Sequence, residues 1–524
     1  MSSLRNVNVR FGVIAGLMGL LIMAGVLYQQ PRPGVADQGD FDRVMNVSGL
    51  RVSADDINNP EFVRFLKYTV TDYEIVADQG ASILQRPAVT SMAYIIRAIN
   101  QVCLLLGKDT FKTDYLAAYY AIAYTFALGV ILACLPVLSL IKRSAIAALS
   151  LLVFFDGNYL VWMNSLYGEP MMITSLALFI AAWMYYIRRR HTLQSPAGVF
   201  PAIIFIFAAA LLLLGSKLQA LSAWPVILIM VLTICWENHR LLSRRQLGVL
   251  ALLGLLLIVY PLGYARGNKE MGRYTIYNSV FFGILKDSPD PVQDLLDMGL
   301  NPDMAADAGK HAFLPQEEYK YAPASQLIQD EFYSKTNNAD LVRFYITHPQ
   351  RLMSGLEYTV SQAFTTSTEL GKYTRQYSET PVSDFNRFTL WSRLREKYVP
   401  RQLWLLVCFY LLIMLIGALE YRRQNSAAIR SAVMLLTGIM IIGWLQFPMP
   451  VVGNGQADTA KQLFLFNFTF DIMAVVSAAW AISRIVDNGY AAQARFHGAM
   501  RRDLDNQQGW HGRGIVEPAE EKRR

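Results

Sequence analysis

Residues 199–215 read VFPAIIFIFAAALLLLG, a run with no charged or amide side chain. A helix rises about 1.5 Å per residue and the bilayer core is about 30 Å thick, so about 20 mostly apolar residues make a crossing. The run ends at Gly215, and after the short turn 216–220 a second apolar run fills 221–237. Working outward from this pair, the same pattern recurs along the chain. Ten stretches are expected to span a membrane: 11–29, 115–139, 144–160, 170–187, 199–215, 221–237, 247–265, 402–420, 430–448 and 462–485. The composition agrees. Of 524 residues, 53% are hydrophobic and 17% charged, against about 25% charged in soluble domains. This excludes an ordinary soluble enzyme and a disordered chain.

The formal net charge is +8. Nucleic acid is not expected as a partner, because the basic residues sit in short loops between apolar runs rather than on one face. Those loops carry Lys142 and Arg143, Arg188 to Arg190, Arg240, Arg244 and Arg245, and Arg422, Arg423 and Arg430. The short loops of opposite parity, 156–169, 216–220 and 449–461, hold only Lys217 and Lys461 as bases. The positive-inside rule then sets both termini in the cytoplasm and an even number of spans, as expected in a bacterial plasma (inner) membrane. The first run has Arg5 and Arg10 before it and Gln29-Gln30-Pro31 after it, with no small-residue cleavage site, and reads as an uncleaved anchor. Cys103, Cys134, Cys235 and Cys408 form no CxxC pair, and the six histidines show no metal-binding spacing.

The expected organisation is a first span at 1–29, a first outer segment at 30–114, spans two to seven at 115–265, a second outer segment at 266–401, spans eight to ten at 402–487, and a basic cytoplasmic tail at 488–524, loose in structure. Residues 91–107 are apolar but interrupted by Arg97, Asn100 and Gln101, which suits a helix lying at the interface. Residues 286–311 are punctuated by Pro289, Pro291, Gly299, Pro302 and Gly309 and read as turns and short helices. The third span is very short before Asp156, so its end is expected to bend back into the outer boundary.

Polar groups at membrane depth are costly and usually serve a role. Five clusters stand out. Asp37, Asp40, Asp42 and Arg43 follow the first span; their carboxylates suit proton acceptance or a divalent cation, and Arg43 suits a carboxylate or phosphate. Asp156, Asn164, Tyr167 and Glu169 close the third span. Lys217 and Gln219 mark the outer end of the fifth, where Lys217 either snorkels or holds an anion. Asp458, Lys461 and Asp471 surround the start of the last span, and Asp471 lies deep enough to require a partner that the sequence does not name. Arg266, Lys269 and Arg273 crowd the exit of the seventh span, a placement that suits an anionic lipid phosphate.

The chain resembles bacterial polytopic hexosyltransferases of glycan biosynthesis, of the cell-wall and S-layer type. The resemblance rests on Gly39-Asp40-Phe41-Asp42-Arg43-Val44-Met45 with Gly49-Leu50, Asn164 through Pro170, Ser216-Lys217-Leu218-Gln219, Asn278 through Leu285, Gly299-Leu300 with Ala308-Gly309-Lys310, and Asp458 through Phe466. More distantly it resembles the GT-C glycosyltransferase superfamily. The last block reads Lys461-Gln462 where the family pattern leads us to expect Lys-His. The resemblance implies an all-α, GT-C-like membrane protein that moves a hexose from a polyprenyl-phosphate donor to a glycan or lipid-linked acceptor on the periplasmic or extracellular face. It implies Asp40 as catalytic base, with Asp37 second. Asp156, Glu169, Tyr167, Asn164, Arg43, Lys217, Gln219, Arg266, Asp458 and Lys461 would bind substrate. A divalent cation (Mg or Mn) on Asp40, Asp156 and Glu169 is a further expectation, with no organic cofactor. The lipid bilayer is the remaining partner, and the sequence does not set the oligomeric state. Two other readings stay open: a transporter or flippase of lipid-linked sugar, for which Asp471 is the relevant feature, and a non-catalytic subunit of glycan assembly.

Overall fold

The computed structural model describes residues 2–76, 88–135, 139–424 and 426–511. Among them, nine helices are long and apolar enough to cross a membrane, and one further pair, Leu140–Phe154 and Gly157–Met163, is bent by 50° at its junction. The protein is an all-α polytopic membrane protein, as its apolar runs require. The bend falls where Asp156 interrupts the third expected span, so the short run does end in a turn at the boundary.

Hydrogen bonds sort the loops onto two ends. At one end Lys142 pairs with Asp487, Arg188 donates to the Ala133 carbonyl and Arg190 to Asn238. At the other, Asn164 donates to the carbonyls of Leu27 and Pro33, and Lys217 pairs with Glu169. The chain leaves helix Thr113–Cys134 at the basic end and enters helix Glu169–Ile187 at the opposite one. The bent pair between them therefore makes a net crossing, the tenth.

Helix Glu169–Ile187 is buried on nearly every side and forms the centre of the bundle. Helix Leu403–Arg423 buries only a few positions and leaves most of its apolar surface to lipid. The first span packs along Thr113–Cys134 through small residues. A Cβ on Gly12 would stand 2.4 Å from the Gly129 carbonyl oxygen, and one on Gly129 would stand 3.0 Å from that of Gly12. Such close backbone approach is the usual basis of helix association in lipid.

The segment 30–114 carries a small antiparallel sheet that the sequence pattern did not announce. Leu50–Arg51 pairs with Asp72–Ile75, which pairs with Thr110–Lys112, with Leu50 opposite Ile75 and Tyr73 opposite Phe111. The stretch expected to lie at the interface forms helix Ser91–Leu105, which exposes Val102, Leu104 and Leu105. In the second segment, 286–311 forms the short helices Pro291–Asp297 and Pro302–Asp307, and a separate apolar core gathers Tyr277, Phe281, Leu295, Phe332 and Phe344. The expected loose tail is corrected in part: the last helix, Phe464–His511, runs unbroken through residue 488 and far beyond it. Residues 512–524 of that tail lie outside the described residues.

The glycine contact between the first two spans yields a test. Gly12→Leu and Gly129→Leu should each cost about 1–3 kcal/mol or more through overpacking, seen as a lower unfolding temperature of the purified protein. Gly25→Leu, whose Cβ meets nothing within 4 Å, should leave that temperature unchanged.

Candidate active site

The site forms at the end opposite the basic loops, and it begins with Asp37. Its carboxylate is buried and accepts from the backbone N–H groups of Gly39 (2.7 Å), Asp40 (2.9 Å) and Phe41 (3.2 Å). Its second oxygen accepts from Arg64 Nε and Nη2. Gly39 has φ +104°, a conformation that favours glycine. The turn thus formed starts helix Phe41–Ser48 and aims Asp40 away from the backbone. The turn and Arg64 thus occupy both oxygens of Asp37, expected as a second catalytic acid, an arrangement that suits holding the turn in place.

Asp40 accepts from Lys461 Nζ and from Arg43. Lys461 also contacts Gln38 Oε1 at 3.3 Å and lies 4.4 Å from the centre of the Tyr167 ring, a cation–π contact. Gln38 Nε2 donates to Asp458 Oδ1 at 2.5 Å. A second ion pair lies beside the first: Lys217 Nζ meets Glu169 Oε1 at 2.6 Å. Gly168 makes this approach possible, since a Cβ there would stand 2.8 Å from the Ser216 carbonyl oxygen. Glu169 Oε2 is buried with no hydrogen-bond partner among the described residues. Buried acceptors left open are uncommon, so this one is poised for a ligand hydroxyl.

The electrostatics follow from the crowding. Burial pushes the Asp40 carboxyl up, but Lys461, then Arg43 and Lys217, outweigh it and hold it well below the usual carboxylate range. For Lys461, burial favours the neutral amine, yet Asp40, Glu169 and Asp458 together raise it above an ordinary lysine. Both groups are ionised at neutral pH.

Scaffold contacts account for several other expected site residues. Tyr167 supports Lys461 with its ring and donates its hydroxyl to the Ala36 carbonyl at 2.9 Å. Gln219 Nε2 donates to the Gln462 carbonyl at 2.5 Å, tying the Lys217 turn to the Lys461 turn. Asn164 spends its amide N–H groups on Leu27 and Pro33. Asp458 has φ +52° and starts helix Thr459–Gln462, which presents Lys461. That loop is braced from the second outer segment, where the Phe282 carbonyl accepts from Gln456 N and Ser279 Oγ donates to the Val452 carbonyl.

Two expectations need correction. Asp156 does not face Asp40; it is fully buried and accepts from Asn158 N at 3.0 Å and Ser392 N at 2.9 Å. The proposed cation set of Asp40, Asp156 and Glu169 therefore does not converge, and among the described residues no three His, Cys, Asp or Glu side chains are placed to hold a metal ion. Arg266 is exposed in the last turn of helix Arg244–Gly267 and takes no part in these hydrogen bonds.

A family model described as the YfdI N-terminal transmembrane domain matches residues 2–499. The chain belongs to that family. No curated protein and no solved structure matches it.

Sequence reasoning missed three residues: Gln38, Arg64 and Arg395. The last is the partner of Asp471. Arg395 Nη1 lies 2.5 Å from Asp471 Oδ2 and 2.5 Å from the Tyr159 hydroxyl, its Nε donates to the Phe364 carbonyl, and its Nη2 donates to Thr366. A lone acid in a span calls for a cation, but Arg393, Arg395 and Lys397 look alike in a polar stretch. Arg395→Met leaves Asp471 buried and unpaired and should cost about 3–5 kcal/mol, measured as a fall in unfolding temperature. Adding Asp471→Asn to that variant should restore part of the loss.

Proposed function

We propose that this protein is an integral-membrane hexosyltransferase of the GT-C type, using a polyprenyl-phosphate sugar as donor and a cell-surface glycan or lipid-linked glycan as acceptor. The observation that carries this reading is the paired array Asp40–Lys461 and Glu169–Lys217, drawn from separate parts of the chain onto the boundary where the spans meet the two long segments. Membership in the YfdI N-terminal transmembrane domain family supports it, since that family points to a membrane protein in a glycan-related process. The distribution of basic loops supports an outward-facing site, periplasmic or extracellular, with both termini cytoplasmic in a bacterial plasma membrane.

The chemistry needs a base, an electrostatic partner for the leaving group, and orientation of the sugar. Asp40 accepts the proton of the acceptor hydroxyl as its oxygen bonds to the anomeric carbon. The bond from that carbon to the phosphate oxygen breaks, and the lipid phosphate leaves with the electron pair. Lys461 and Lys217 stabilise the negative charge on that phosphate. The open oxygen of Glu169 takes a hydroxyl of the sugar. A single displacement inverts the anomeric carbon.

With Lys461 and Arg43 upon it, Asp40 is a weak base. A donor phosphate offers those cations a second anion, and sharing them raises the basicity of Asp40 once donor is bound. Basicity is thereby coupled to donor occupancy. The flippase reading loses its chief feature, because Asp471 is engaged by Arg395 and Tyr159.

Purified protein in lipid, given radiolabelled polyprenyl-phosphate hexoses and membrane glycan extract, should move label to glycan. Asp40→Asn should reduce that transfer by about 100-fold or more, the scale of general-base catalysis. Label crossing the bilayer without transfer would support a flippase, and unchanged transfer in Asp40→Asn would remove Asp40 as base. The pH profile gives a second test. Transfer requires ionised Asp40 and falls as pH drops through its pKa. In Lys461→Met the opposing cation is gone and burial pushes that pKa up, so the acid limb of the residual rate should move to higher pH. An unmoved limb would separate Asp40 from proton acceptance.

A further inference from the structure

A cavity of about 490 Å³ is lined by none of the residues of the Asp40 array. Its volume falls within the range of about 300–1,000 Å³ typical of ligand sites. Its walls come from the chain just after the first span, from the small sheet, and from residues 374–377 of the second outer segment.

The walls are pinned from behind. Arg387 donates to the carbonyls of Gln29 (2.7 Å) and Pro31 (2.8 Å), fixing the turn that carries Gln30 and Arg32. Gly34 N donates to the Lys372 carbonyl and Ala36 N to that of Gly371, locking the two outer segments together below Thr374. A Cβ on Gly371 would stand 1.7 Å from the Lys67 carbonyl oxygen, so this seam admits only glycine.

The lining selects a chemistry. Its two cations are already matched: Arg32 pairs with Asp114, and Lys112 meets Asp72 at 2.7 Å. The cavity has no surplus positive charge for a phosphate, unlike the Asp40 site. The pairs offer donors and acceptors side by side, as do Gln30, Gln376 and Thr71. Tyr377 is 56% exposed, and its ring is steadied by Tyr373 at 5.1 Å. An exposed ring presents an apolar face and a polar tip. Paired charges, amides and one open aromatic face suit an uncharged, hydroxyl-rich ligand with apolar C–H faces.

The geometry points to a binding site for a neutral oligosaccharide in this cavity. Resting on the transferase reading, we assign it to the acceptor glycan, held by sugar units remote from the reacting hydroxyl. Arg32 at the cavity and Asp40 at the transfer site are eight residues apart in sequence, so at most about 28 Å separates them. A glycan of several units bridges that span.

Binding can be read without transfer. Full-length protein in lipid nanodiscs would be tested against an array of neutral tri- to hexasaccharides built from hexoses and N-acetylhexosamines, with trigalacturonate and inorganic phosphate as anionic comparisons. At least one neutral saccharide should bind, Tyr377→Ala should weaken it by about tenfold or more, and Tyr377→Phe, which keeps the ring, should retain it. Absence of neutral saccharide binding, preference for the anions, or affinity unmoved by both Tyr377→Ala and Gln376→Ala would overturn the site. Saccharide binding through Tyr377 in a protein that shows no transfer would instead refute the transferase reading and leave the binding site standing.

Discussion

Arg395 fastens the long segment 266–401 to the membrane bundle. Its side chain is fully buried and reaches Asp471 and Tyr159 within the bundle and Phe364 and Thr366 in the second outer segment. Removing a guanidinium from water is costly unless every donor finds a partner and the charge is matched. Asp471 matches that charge, and four N–H donations find acceptors, only when helix Leu390–Tyr398, the last span and the bend after Leu140–Phe154 come together. Asp156 reinforces the same junction by capping Gly157–Leu160 and holding Ser392. The ion pair therefore specifies where the cap sits, and with it the relative placement of segments hundreds of residues apart.

The Asp40 array depends on that placement. Asp40 comes from a turn organised by Asp37, Lys461 from a one-turn helix before the last span, and Lys217 and Glu169 from the ends of two adjacent spans. None of these elements builds the array alone. Once assembled, the opposed charges satisfy one another while the protein is empty. On the proposed mechanism an anionic donor competes for the lysines, and the resting pairs act as a store of cation that substrate draws upon. The neutral cavity on the other side of the 34–36 seam contrasts with this charged array, as expected if one site handles a phosphate and the other an uncharged sugar chain.

Much of this was legible in the sequence because lipid imposes a strict rule. Apolar runs of crossing length and the bias of basic residues fix the bundle, and the charged residues that break the outer ends of those runs included Asp40, Lys217, Glu169 and Lys461. The bend after Phe154 was legible too, because too few apolar residues precede Asp156. Partners distant in the chain were not legible. Asp37 and Asp40 look equivalent in sequence, yet backbone N–H groups and Arg64 claim the first while the second faces Lys461. Asp156 and Glu169 flank one loop but point into different networks. Arg395 lies in a stretch that reads as a solvated basic face, and only its contact with Asp471 distinguishes it. The small sheet went unseen because its strands are two to four residues long, too short for alternation to register.

On the proposed mechanism one lysine, Lys461, serves two anions in turn, the Asp40 carboxylate and then the donor phosphate. The most direct test is the equilibrium affinity of purified protein in nanodiscs for a polyprenyl-phosphate hexose, compared between wild type and Asp40→Asn. Removing the carboxylate charge frees Lys461, so the variant should bind donor at least as tightly as wild type. Markedly weaker donor binding by Asp40→Asn would contradict the account, placing Asp40 in donor recognition rather than in competition with it.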